Sequence, residues 1–200
     1  MSSNQGLSSV TATAASATAA STAAASAVTA TVIAAAIDTD AADAAPIDWD
    51  QASGLFAAER WYWVATGTDR SGPHLRPVLA IWLDGHVYST TSPAARKSRD
   101  LTARPSAAFS GRAPDIDIVI EGSTAWITDQ DHLHRVAAAY RDKYDWPVTV
   151  TADGAFDAPY GAPTAGPSPY RVYQLTPAVA YAFGTGNNFG ARSTRYRFPS

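Results

Sequence analysis

Regular alternation of apolar and polar positions begins only after residue 60 of this 200-residue chain. Trp61–Gly67 is aromatic and β-branched and reads as a strand, and Thr68–Gly72 supplies a turn. His74–Trp82 reads as the second strand, Asp84-Gly85 as a hairpin turn of the type that favours Asp-Gly, and His86–Thr90 as the third strand. The period then changes. Ser92 suits an N-cap and Pro93 the first helical position, so a helix is predicted over Ala94–Arg104, stopped by Pro105. Strands resume at Ser106–Gly111 and at Asp115–Thr128, where Ile116, Ile118 and Ile120 alternate with Asp117 and Glu121. A second helix is predicted from Thr128, with Asp131 as capping-box partner and Leu133, Val136, Ala137, Tyr140 and Tyr144 on one stripe. Trp146-Pro147 ends it. Residues 148–169, rich in Gly and Pro, read as a long loop, and Tyr170–Leu175 and Ala178–Phe183 as closing strands. Upstream, Ile47–Arg60 reads as a short lead-in helix. Strands dominate and no βαβ repeat appears, which predicts a mainly β (α+β) fold, a small antiparallel barrel with appended helices.

Composition changes the picture at the N-terminus. Within residues 1–45, Ala supplies 18 positions and Ser plus Thr another 14, with no aromatic residue. That tract is expected to be a disordered tail, with a single domain over 46–200. It lacks the basic start of a secretory signal. Residues 60–200 hold all 15 basic and 12 acidic side chains, a net of +3, while the first 59 carry six acids and no base. A mildly basic domain suits a phosphorylated small molecule and is too weakly charged to indicate nucleic acid. The chain has no cysteine, which excludes disulfides, thiolate metal sites and cysteine nucleophiles and is compatible with a cytoplasmic location. No apolar run of about 18 residues is present, so no membrane association is expected.

The chemically informative segment is Tyr88-Ser89-Thr90-Thr91-Ser92-Pro93-Ala94-Ala95-Arg96-Lys97. Three hydroxyls at a strand end lead into a helix start, where unpaired N–H groups and the helix dipole favour an anion. Arg96 and Lys97 follow at once, although cations there oppose the dipole by ~0.3–1 kcal/mol. A bound anion removes the conflict. The competing reading is a solvated pair on a helix surface, and physics alone leaves the two about even.

A longer series of motifs resembles a known family. It comprises Gly72-Pro73-His74-Leu75-Arg76-Pro77-Val78, Ile81-Trp82-Leu83-Asp84-Gly85, Val87-Tyr88-Ser89-Thr90 and Ser92-Pro93-Ala94-Ala95-Arg96-Lys97-Ser98-Arg99-Asp100-Leu101. It continues through Val119-Ile120-Glu121-Gly122, Tyr140–Pro147 and Thr194-Arg195-Tyr196-Arg197-Phe198. The series, over residues 55–198, is similar to the pyridoxamine 5′-phosphate oxidase-like, FMN-binding split barrels, particularly an actinobacterial branch that uses FMN or the deazaflavin coenzyme F420. The resemblance implies a split β-barrel of six or more antiparallel strands with two or three short helices, assembled as a homodimer with the coenzyme at the interface. It implies that Ser89, Thr90, Arg96 and Lys97 hold the coenzyme phosphate and that Arg76, Pro77, Val78 and Leu79 lie along its ring. It also suggests that Phe183 and Arg195 approach the partner's site. The chain departs from the true oxidases of vitamin B6, having no histidine beyond His134 in its C-terminal part, so that activity is not expected.

The expected function is F420- or FMN-dependent oxidoreduction of a small organic substrate, with the alternative of a non-catalytic carrier of flavin, F420 or haem. No catalytic residue is assigned, because hydride transfer needs only a substrate stacked on the coenzyme ring. His74 is the one plausible haem ligand, although a strand histidine beside a turn is more often structural. His132 and His134 lie on different helix faces, and Asp115, Asp117 and Glu121 read as solvated exterior, so no metal site is expected. Trp61, Trp63, Trp82 and Trp126 are expected in the core or at a dimer interface.

Overall fold

The computed structural model describes residues 28–33, 45–70, 72–161, 165–190 and 192–199. Eleven strands and three helices occur there: β1 (Thr29–Val32), α1 (Trp49–Ala58), β2 (Tyr62–Thr68), β3 (Gly72–Val78), β4 (Ala80–Leu83), β5 (His86–Thr91), α2 (Arg96–Ala103), β6 (Ser106–Ala113), β7 (Ile116–Ile127), α3 (Gln130–Tyr144), β8 (Thr149–Val150), β9 (Phe156–Asp157), β10 (Arg171–Gly184) and β11 (Ser193–Arg197). Nine strands form one antiparallel sheet in the order β1-β11-β10-β7-β6-β2-β3, with the β4–β5 hairpin joined to it through β10. This is a split β-barrel.

Alternation explains the core. Ile116, Ile118 and Ile120 on β7 point inward and are fully buried, alongside Val64, Phe109, Leu175 and Tyr196, while Asp117 and Glu121 face out. The stripe on α3, Leu133, Val136, Ala137 and Tyr140, buries into a second cluster with Ile81, Tyr88, Phe156 and Val172. Asp84 and Gly85 both take positive φ, 50° and 76°, the conformation that closes a two-residue hairpin.

Several boundaries differ from the sequence expectation. Residues 29–32 lie inside the tract expected to be disordered, yet they pair with β11, Thr31 opposite Arg195. Two Thr and a Val in four residues suit a strand once an edge is offered. The rest of that tract lies outside the described residues. The expected single strand His74–Trp82 is broken at Leu79, where the chain leaves β2 and turns to pair with β5. Leu79 O accepts from the hydroxyls of Ser89 and Tyr140, which holds the break open. The expected pair Tyr170–Leu175 and Ala178–Phe183 is one strand with an irregularity between Pro177 and Val179. The 148–169 loop contains a small ladder, Val150 opposite Phe156. α3 begins at Gln130, capped by the Asp129 carboxylate, which accepts from His132 N–H, so Thr128 and Asp131 are not its capping box.

Candidate functional site

α2 starts later than expected. Ser92, Pro93 and Ala94 form a turn closed by Ala95 N–H donating to Ser92 O, and the helix begins at Arg96. Its N-cap, Ala95, offers no side-chain hydrogen bond, and the first turn contains no acid. Arg96 and Lys97 therefore occupy the first two helical positions. The conflict with the dipole is sharper than the sequence implied.

These residues face a cavity of about 590 Å³ bounded by β3, the end of β5, the start of α2, and the segment that follows α3. All eight residues expected to hold a coenzyme, Arg76, Pro77, Val78, Leu79, Ser89, Thr90, Arg96 and Lys97, line it. Their roles differ. Ser89 is fully buried and donates its hydroxyl to Leu79 O, so it fixes the strand break at the cavity floor. Thr90 is half-buried, and its hydroxyl makes no hydrogen bond among the described residues. Arg76 is exposed and folds back on Leu75 O at 2.9 Å. Arg96 reaches Gly72 O and lies 3.5 Å from Asp100.

Lys97 is 8% exposed, donates to Thr90 O at 2.9 Å, and sits 5.5 Å above the Tyr173 ring. No carboxylate pairs with it among the described residues. Desolvation lowers its pKa to about 8. An ammonium has three donors, so it can still reach a ligand.

Behind Arg96 lies a buried polar chain. Thr66 Oγ1 donates to Asp100 Oδ2 at 3.3 Å, and His74 Nδ1 lies 3.5 Å from that hydroxyl and 3.8 Å from the carboxylate. Burial, then Arg76 and Arg96, push the His74 pKa down, against Asp100, which raises it, and with a smaller lowering from Lys97. His74 also lines the cavity and is neutral at pH 7.

The cavity's other side went unnoticed in the sequence. Tyr144, at the end of α3, and Trp146, Tyr160 and Tyr170 beyond it form an aromatic wall, and Trp61 joins them ahead of β2. Their density between residues 140 and 170 was the available signal, but only folding shows that they share one surface. Phe183 and Arg195 do not line this cavity. They lie on β10 and β11, Arg195 opposite Tyr181.

No protein-family model matches the chain, and no curated protein matches it in sequence. Solved structures do match. A haem-binding protein from Mycobacterium smegmatis aligns with a TM-score of 0.57 at 18% identity, over 76% of this chain and 58% of that one. The likeness is one of fold. A conserved hypothetical protein from Mycobacterium tuberculosis gives 0.53 at 17% identity, over 70% and 86% of the two chains. A NimC/NimA family protein from Clostridium acetobutylicum gives 0.51 at 13%, over 74% and 91%.

Proposed function

We propose that the cavity binds the phosphate and ring of a flavin-type coenzyme, FMN or F420, and that the protein is an oxidoreductase acting on a small organic molecule. The observation that carries this is Lys97, a buried cation with no acid partner among the described residues, placed with Arg96 and the Thr90 hydroxyl at an uncapped helix start. Such a group is costly unless an anion answers it. The cavity volume falls within the usual range of ~300–1,000 Å³ for small-molecule sites. Bound there, the coenzyme supplies hydride transfer. Arg96 and Lys97 would hold the phosphate by charge-assisted hydrogen bonds, and the β3 edge from Arg76 to Leu79 would support the ring. Of the two coenzymes we favour F420, because the basic lining suits a multiply anionic tail.

We further propose that the protein works as a homodimer in the cytoplasm. Trp63 on β2 and Leu75 on β3 are 49% and 53% exposed, and Trp63 pairs across the strands with exposed Pro77. Apolar side chains at adjacent sites on one sheet face suit a partner surface.

A second reading, a haem carrier, has one observation in its favour: His74 lines the cavity with its Nδ1 turned to Thr66 and Asp100, and burial favours its neutral form. Titration with FMN, F420 and haem, each followed by its own absorbance band, separates the readings. Arg96→Ala with Lys97→Ala is expected to weaken FMN or F420 binding about a hundredfold, from the loss of two charge-assisted contacts. Unchanged affinity in that variant defeats the coenzyme reading. Oxidation of the bound reduced coenzyme by added substrates then distinguishes an enzyme from a carrier.

A further inference from the structure

The two sides of the cavity differ in chemistry. The β3 and α2 side carries His74, Arg76, Arg96 and Lys97. The second group, from α3 and the segment beyond it, carries Tyr144, Trp146, Tyr160 and Tyr170, and no charged residue of that segment lines the cavity among the described residues. The polar atoms of these four rings are already committed to backbone carbonyls. Tyr144 donates to Ala80 O at 2.5 Å, Trp146 Nε1 to Tyr160 O at 2.9 Å, Tyr160 to Asp145 O at 3.1 Å, and Tyr170 to Gly166 O at 2.8 Å. With their donors spent on the fold, the rings have hydrocarbon to offer the cavity. The wall is also fixed: Trp146 packs on Tyr170 with ring centroids 5.7 Å apart and on Tyr140 at 5.5 Å, and both Trp146 and Tyr170 are buried. Trp61 and Tyr160 are 71% and 57% exposed and remain open to a ligand.

We propose that this wall is the substrate subsite and that it selects an uncharged, planar ring compound. A flat π-face stacks on aromatic rings at every orientation the wall presents, and such stacking contributes beyond area burial. An anionic group placed there meets no free donor except the exposed Trp61 indole N–H and loses its hydration, and a cation there shares the cavity with Arg76, Arg96 and Lys97. The location of this subsite beside a coenzyme rests on the coenzyme reading above; the preference for flat, uncharged rings does not.

The test uses the full chain and two uncharged probes of similar size, 2-naphthol and its saturated counterpart decahydro-2-naphthol, titrated by calorimetry with and without bound FMN or F420. Naphthol is expected to bind about tenfold or more tightly than the saturated alcohol, from its stacking on the rings. Trp61→Ala with Tyr160→Ala, both exposed positions, is expected to remove about tenfold of naphthol affinity and leave coenzyme affinity unchanged. Equal binding of the two probes, or an unaltered naphthol affinity in the double variant, overturns the proposal. Competition between naphthol and the coenzyme also overturns it, since the wall would then belong to the coenzyme ring. Ring-selective binding in a protein that takes up neither FMN nor F420 supports the preference of the wall and defeats the coenzyme reading alone.

Discussion

Lys97 is a cation in a dry place, and its pH behaviour follows from that. Its folded-state pKa, about 8, lies below the ordinary 10.5, so the unfolded chain binds its proton more tightly. The sign is then fixed: well below pH 8 the folded protein bears the full desolvation cost, and between about 8 and 10.5 that cost disappears as the ammonium deprotonates. Without ligand, Lys97→Met is expected to be more stable than the parent by ~1–3 kcal/mol at pH 7, with the advantage shrinking above pH 8. Urea denaturation at the two pH values reads this directly, and an advantage independent of pH would show that charge burial is not its source. At this scale the sequence marked Arg96 and Lys97 as lying near a helix start, which the structure shows, because two cations there are chemically odd wherever the chain runs. It did not reveal that the Ser89 hydroxyl is taken up by Leu79 O, a partner ten residues away that no local pattern marks.

Elements were legible where one period ran unbroken and less so where the chain changes partner. β7 has strict alternation, and its expected and observed limits differ by one residue at each end. The His74–Trp82 stretch looks continuous, but its two halves pair with β2 and β5, and nothing local marks Leu79 as the exchange point. Ser92-Pro93 signalled an N-terminus and instead makes the turn before one. Close strand packing yields a sharper prediction. A Cβ on Gly122 of β7 would stand 1.9 Å from Thr176 O, on backbone that cannot retreat, whereas one on Gly111 of β6 would meet the Phe56 ring at 3.1 Å. Gly122→Ala is expected to cost about 3 kcal/mol and Gly111→Ala about 1 kcal/mol. Urea midpoints rank the two, and the reverse order would show that β7 and β10 can separate.

At the scale of the molecule, the barrel itself followed from strand dominance without βαβ repeats, but the cavity did not, since it is built from β3, β5, α2 and a segment that begins about 40 residues beyond α2. Sequence spacing carries no information about such meetings. The proposed homodimer belongs to this scale too. The parent is expected to sediment as a dimer, and Leu75→Glu, on the exposed face of β3, to sediment as a monomer that binds coenzyme about tenfold more weakly, as a central interface position would. A monomeric parent with full coenzyme affinity would remove the partner from the site.

β10 pairs with β7 from Val172 to Gly184, while its other edge serves β5 from Arg171 to Leu175 and β11 from Val179 to Phe183. During synthesis, therefore, Ser89 and Thr90 emerge early, but their strand partners on β10 follow only after some eighty further residues have been made. Most of the chain must leave the ribosome before the floor of the cavity is anchored, and contacts so distant in sequence form slowly. A nascent chain stalled before residue 171 should not take up the proposed coenzyme.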